Sequence, residues 1–157
     1  MTWFRPVSVL LLALSALAVC CRSTPASAEA SRPAAQSADP MSYRIRIRAG
    51  GAAFAAVLPA TPASLEFKSM LPLTLDMREL NRNEKYAALP RRLPVQETAP
   101  GQIRAGDLML YGSNTLVLFY ESFPSSYRYT RLGQLTTAEG LKAALGTGSV
   151  SVTFELE

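Results

Sequence analysis

The stretch that most constrains this chain is Gly106-Asp107-Leu108-Met109-Leu110-Tyr111-Gly112-Ser113-Asn114-Thr115-Leu116-Val117-Leu118-Phe119-Tyr120-Glu121. Two apolar runs, each of strand length, flank a short Gly-Ser-Asn connector rich in turn residues, which predicts a hairpin. Side chains alternate across a strand, so a run that is apolar at every position needs cover on both faces. The hairpin therefore belongs at the centre of a barrel, or of a sheet with a helix on its outer face.

With 157 residues the chain is long enough for one domain with a sizeable core. Its charged fraction of 18% is too low for a largely disordered chain. The net charge is +4, and the first forty residues account for only one of those charges. The arginines are scattered, and Arg44, Arg46 and Arg48 form one solvated strand face. A nucleic-acid partner is excluded on that distribution, because binding needs a clustered basic face with interleaved aromatics. Histidine is absent, which removes the commonest general base, the serine-type triad and the usual zinc ligands. The two cysteines, Cys20 and Cys21, are adjacent and lie near the N-terminus. The rest of the chain has no disulfide, thiol nucleophile or thiolate metal site. No metal site and no cofactor are expected; any catalysis must use Arg, Tyr, Asp, Glu, Ser, Thr or backbone groups.

Residues 1–28 read as a signal peptide. Arg5 supplies the positive start, and Val7 to Val19 is apolar but short for a bilayer span. Ala26-Ser27-Ala28 fits a cleavage site, and Leu17-Ala18-Val19-Cys20 resembles a lipoprotein box ending near Cys20 and Cys21. An uncleaved anchor is the third option. All three place the domain outside the cytoplasm, in the periplasm or tethered to the outer side of the inner membrane through the leader or a lipid. Residues 29–41, rich in Ala, Ser and Pro, read as a flexible linker.

Residues 42–157 form the domain. Tyr43 to Arg48 alternates strictly, with Tyr43, Ile45 and Ile47 on one side and three arginines on the other. Gly50-Gly51 turns the chain into a second strand, Phe54 to Leu58. Thr61-Pro62 opens a helix as N-cap and first helical residue. Ala63, Phe67, Met70 and Leu71 make its apolar stripe, and Pro72 stops it. Leu73 to Met77 alternates as a strand, Asn81-Arg82-Asn83 is a turn, and Lys85 to Leu89 is a short strand. Leu89 to Ala105, with three prolines, reads as a long irregular loop, the kind of segment that often carries function. Phe123 to Ser126 is a loop and Tyr127 to Leu135 a strand. Thr137 caps a second helix over Ala138 to Leu145, ended by Gly146. Ser149 to Glu157 alternates as a last strand that pairs with the first. The whole is mainly β: a closed antiparallel barrel capped by two short helices.

Several stretches resemble the cyclophilin fold. Leu65-Glu66-Phe67-Lys68-Ser69-Met70 resembles the first helix of cyclophilins, Gly112-Ser113-Asn114 their Gly-Ser-Gln, and Leu132-Gly133-Gln134-Leu135 their Phe-Gly-Lys-Val. Met70-Leu71-Pro72-Leu73-Thr74-Leu75-Asp76-Met77, Gly106 to Gly112 and Tyr129-Thr130-Arg131-Leu132-Gly133 resemble a small bacterial cyclophilin-like family, over roughly Ser42 to Glu157. The resemblance implies a cyclophilin-like barrel and, in its best-known members, a prolyl isomerase site: an apolar hollow with an arginine polarising the peptide carbonyl. Such chemistry lowers the amide rotation barrier by binding the twisted amide and needs no nucleophile.

The family's Phe-His-Arg segment has no counterpart here. On the resemblance, Leu116 takes the place of a pocket Phe, Tyr129 that of a pocket His, and Asn114 that of a Gln beside the substrate backbone. Phe119 and Tyr127 complete the expected groove, and Arg91 and Arg92 are the candidates for the missing guanidinium. For Tyr127 and Tyr129, packing on the core is the competing reading. For Asp107 it is a turn role, and Asp76 with Glu79 is a candidate carboxylate pair. The expected function is a peptide or small-ligand binding module with weak or no isomerase activity. The alternatives are an active isomerase of envelope proteins and a subunit of a larger assembly; the oligomeric state is left open.

Overall fold

The computed structural model describes residues 41–157. The signal-peptide and lipoprotein readings, and the linker of residues 29–41 up to its last residue, fall on residues 1–40, outside the described residues.

Alternating side chains build most of the strands. β1 (Ser42–Ala49) and β2 (Ala52–Pro59) form the first hairpin through Gly50-Gly51. After α1 (Pro62–Lys68) come β3 (Leu73–Leu80), β4 (Glu84–Ala88), β5 (Gly101–Ile103), β6 (Asp107–Tyr111), β7 (Thr115–Phe119), β8 (Phe123–Ser125), β9 (Thr130–Leu135), α2 (Leu141–Leu145) and β10 (Val150–Leu156). Eight strands close a barrel in the order β1-β10-β3-β4-β7-β6-β9-β2, every neighbouring pair antiparallel. The first and last strands close it, with Ile47 opposite Phe154 and Ala49 opposite Val152. Closure leaves no free edge among these eight strands.

The barrel interior takes one parity of each strand: Ile45 and Ile47, Ala56 and Leu58, Met77, Ala87, Leu108 and Leu110, Leu116 and Leu118, Val152 and Phe154. The outer face of the β6–β7 hairpin is also covered, as the two apolar runs demand. Its cover is not a helix. β5 and β8 pair as a separate two-stranded ribbon, and Ile103 and Phe123 from it pack on Met109, Val117 and Phe119. Two expectations change here. Phe123 to Ser125 is a strand, and the irregular segment after Leu89 contains one, because each supplies the other with backbone partners. β9 starts only at Thr130; Tyr129 instead forms an isolated bridge with Thr98.

The helices follow local chemistry. Thr61 Oγ1 accepts the Ser64 N–H at 3.2 Å, with Pro62 in the first turn. Phe67 meets the Phe154 ring edge-on at 5.7 Å between centroids, placing α1 against the barrel core. The second helix is shorter than expected. Gly140 in the left-handed region (φ 75°) keeps the chain non-helical up to Leu141, and Thr137 accepts only the Glu139 N–H. Leu141 and Leu145 reach the core.

One end of the barrel interior is polar. Lys85 is fully buried, and its Nζ donates to Glu79 Oε2 at 2.6 Å and to the Gly148 carbonyl at 2.5 Å. Tyr120 donates to Glu79 Oε1 at 2.7 Å. Glu79 is therefore no partner for Asp76: residues three apart on β3 face opposite sides of the sheet. Burial raises the Glu79 pKa, but the hydrogen bonds from Lys85 and Tyr120 and the Lys85 charge outweigh it, so the carboxyl stays below its usual range. On the exterior, Arg46 pairs with Glu157 and Arg48 with Glu155, solvated contacts worth little individually.

Gly133 sits opposite Leu108, where the β6–β9 register shifts and leaves Leu132 as an extra, bulged residue. A Cβ at Gly133 would lie 2.6 Å from the Val57 carbonyl oxygen, so the backbones of β9 and β2 would have to separate. Gly133→Ala is expected to cost about 1–3 kcal/mol of stability in a urea unfolding curve. Lys85→Ala, which strands Glu79 without its cation, is expected to cost about 3–5 kcal/mol in the same measurement.

Candidate functional site

On the outside of the barrel, the strands β4, β7 and β6 present their outward parity: Glu84 and Tyr86, Thr115 and Val117, and Tyr111. The β3–β4 turn rises on one side with Leu80, Asn81 and Asn83. Phe123 of β8 and the following Tyr127 and Tyr129 rise on the other. Between them lies a cavity of about 440 Å³, a size suited to a small ligand or one or two side chains. Five aromatic residues line it. Tyr111 and Tyr129 approach at 5.8 Å between centroids, and Tyr129 stands edge-on to Phe119 at 5.5 Å. Phe119, fully buried, also packs on Phe123 at 5.7 Å and so supports the wall from behind.

The polar content of this cavity is unusual. Glu84 is 8% exposed and makes no ion pair or side-chain hydrogen bond among the described residues. Burial, reinforced by the nearby Glu79 charge, pushes its pKa up to about 7. The Tyr129 phenol is pushed up to about 12, first by burial and then by the Glu84 charge. Asn83, on the rim, holds a buried Oδ1 with no hydrogen-bond partner. An unpartnered, nearly buried carboxyl in a concave aromatic site makes this cavity the candidate functional site, since structural carboxylates are normally paired. Arg82 and Asn81 in the adjoining turn both take positive φ (60° and 55°); the left-handed region costs a side chain such as that of Arg about 1–2 kcal/mol.

The residues expected from the sequence divide. Tyr127 and Tyr129 line the cavity and Phe119 backs it. Leu116 does not reach it: with Leu118 it takes the inward parity of β7 and is fully buried in the barrel. Asn114 sits at the β6–β7 tip, where its carbonyl accepts the Leu89 N–H at 2.7 Å. Arg91 is held away by Glu66 at 3.0 Å and Ser69 at 2.8 Å, and Arg92 donates to Ser113 at 3.2 Å. Sequence reasoning missed Glu84, Tyr86, Tyr111 and Phe123. Their signal was present in Glu84-Lys85, a charge on each face of a strand packed among apolar ones.

A second hollow, about 380 Å³, lies beside the start of α1 and is lined by Pro59, Pro62, Pro94, Val95 and Arg131 among others. Arg131 donates to the fully buried Asp107 at 3.0 Å, and Asp107 also accepts the Arg104 N–H at 2.9 Å. Asp107 is thus a turn-fixing carboxylate. Among the described residues no cluster of three or more His, Cys, Asp or Glu is placed to hold a metal ion, and no helix is long and apolar enough to cross a membrane.

Glu84 binds a proton more tightly in the fold than in the unfolded chain. Stability is therefore expected to fall as pH rises from the ordinary carboxyl value of 4.5 to about 7, and to stay lower above it. Glu84→Gln removes this cost. Its advantage over the wild type is expected to grow from near zero at the acid end to about 1–3 kcal/mol at pH 8, read from unfolding curves across pH.

No curated protein matches the sequence. Among solved structures, the chain is similar to a hypothetical protein from Archaeoglobus fulgidus, at TM-score 0.51 and 19% identity, over 74% of this chain and 96% of that one. It is also similar to McbB, solved in complex with tryptophan, at TM-score 0.54 and 14% identity, over 72% of this chain and only 44% of McbB. At these identities the likeness is one of fold. The profile of the cyclophilin-like family matches residues 47–155, from the first barrel strand to the last, and the chain therefore belongs to the cyclophilin-like family.

Proposed function

We propose that this domain is a ligand-binding module with weak or no prolyl isomerase activity, and that its ligand, a peptide or small molecule, occupies the aromatic cavity on β4, β7 and β6. The observation that carries this reading is the cavity's chemistry: five aromatic residues around a buried, unpaired carboxyl, with no arginine or lysine in its lining. A carboxyl does not polarise a peptide carbonyl as a guanidinium does. Arg91 and Arg92 are engaged elsewhere by Glu66, Ser69 and Ser113. In this reading the two helices act as end caps on a rigid scaffold, and the leader pattern of residues 1–28 supports export to the envelope.

The isomerase alternative has its own observation. Arg131 lines the proline-flanked second hollow. Its guanidinium is already paired with the buried Asp107, which spends much of the charge that would polarise a substrate.

A protease-coupled isomerisation assay on a proline tetrapeptide separates the two. The full chain is expected to give the uncatalysed rate. A rate enhancement that disappears in Arg131→Gln would overturn the binding-module reading in favour of catalysis in the second hollow. Chemical-shift mapping with short peptides is expected to move the Tyr111, Tyr127 and Tyr129 resonances and to leave those around Arg131 in place.

A further inference from the structure

Among seven large apolar or aromatic residues that stand exposed among the described residues, three rim a single cavity: Leu80 at 42%, Tyr111 at 50% and Tyr127 at 66%. Exposed apolar and aromatic residues gathered at one concavity mark a contact surface rather than scattered surface apolarity. The rings here are mostly tyrosines, whose faces carry the negative end of the ring quadrupole. Glu84 lies among them, only 8% exposed as a residue yet unmatched by any cation among the described residues.

Resting on the binding-module reading above, we propose that the cavity takes an organic cation, an ammonium carried on an aliphatic stem, with Glu84 as counter-charge and Tyr111, Tyr127 and Tyr129 as the walls. A buried carboxyl open to a cavity is satisfied least by an apolar ligand and is repelled by an anion. An ammonium pairs with it directly, and the aromatic faces solvate the rest of the charge, as in cages that recognise quaternary amines. No Lys or Arg lines the cavity to compete for the place. The neighbouring Lys85 turns to the opposite face of β4, into the barrel, and is held there by Glu79 and the Gly148 carbonyl. The ammonium can come from a lysine side chain of a peptide or from a free small amine; the cavity chemistry is the same for both.

Protonation tunes the site. The charged and titratable groups on the elements around Glu84 are Glu79 behind its strand, Tyr86 beside it, Arg78 opposite Tyr86 on β3, Arg82 in the adjoining turn between Asn81 and Asn83, and Tyr111, Tyr127 and Tyr129 across the cavity. Burial pushes the Tyr129 phenol up to about 12, so it stays neutral near pH 7, while the hydrogen bonds from Lys85 and Tyr120 outweigh burial and keep Glu79 charged. Glu84, at about 7, is the group that changes, so cation affinity rises as pH climbs through that value and the carboxyl ionises.

The test is a nitrogen-edited NMR titration of the full chain with choline, with its uncharged isostere 3,3-dimethylbutan-1-ol, and with a pentapeptide bearing one central lysine. Choline or the lysine peptide is expected to shift Tyr111, Tyr127 and Tyr129, with the isostere roughly tenfold or more weaker. Glu84→Gln is expected to remove most of the cation's advantage over the isostere, leaving only the share owed to the aromatic faces, and to abolish the pH dependence. Tyr127→Ala, at an exposed position, keeps the test independent of any folding defect in Glu84→Gln, and is expected to weaken the cation several-fold. If the peptide binds more tightly than choline, the source is a peptide lysine; the reverse order indicates a free amine. Equal binding of choline and isostere, unchanged in Glu84→Gln, would overturn the cation proposal and leave an apolar ligand site. No shift at these tyrosines with any probe, together with no shift from proline peptides, would overturn the binding-module reading as well.

Discussion

Burial of the β6–β7 hairpin on both of its faces is the constraint from which the rest of the molecule follows. Leu108, Leu110, Leu116 and Leu118 fill the barrel, while Met109, Val117 and Phe119 on the reverse side need a cover of their own. Barrel closure answers the first demand. The second is met by the β5–β8 ribbon, whose Ile103 and Phe123 lie over the outer residues. That ribbon is short, so the cover is partial. Where it stops, the outer parity of β4, β7 and β6 remains open beneath Tyr127 and Tyr129, and the cavity is the uncovered remainder of a two-sided sheet.

Polar groups are distributed to match. On β4, Lys85 turns inward and Glu84 outward, so adjacent residues of opposite charge never meet. Lys85 is matched by Glu79 and, through it, by Tyr120 in a closed network at the barrel end. Glu84 receives no such partner. The contrast is informative: a buried ion is ordinarily tolerated only when paired and hydrogen-bonded. The inward pair satisfies that condition. The outward carboxyl does not, and the fold carries its desolvation at a place where a ligand can enter.

Much of the fold was legible from the chain alone, because it is written in local pattern. The hairpin at Gly50-Gly51, the Thr61-Pro62 helix start, the Asn81-Arg82-Asn83 turn and the terminal strand pairing each follow from two or a few adjacent residues. The errors cluster where partners are distant. β5 and β8 are three residues each and exist only because they meet across some twenty positions of sequence. The start of α2 was set by the left-handed Gly140 and not by Thr137. At the candidate site, Phe119, Tyr127 and Tyr129 were legible as aromatics near a predicted groove, whereas Leu116, placed there on the resemblance, faces the barrel interior, because successive residues of β7 point to opposite sides of the sheet.

The sequence by itself determined a mainly β, single-barrel architecture, since apolar periodicity and turn chemistry act over spans of a few residues, and its motifs carried the resemblance to the cyclophilin-like family. It also determined that histidine and thiol chemistry are absent from the described domain. Only the tertiary structure decided which aromatics share a wall, that Arg91 and Arg92 are tied to α1 and the hairpin tip, and that Glu84 stands buried without a cation. Those outcomes depend on the barrel's closure and on where a short ribbon ends. Desolvation and charge pairing are set by what surrounds a side chain in space, which no window of neighbouring residues encodes.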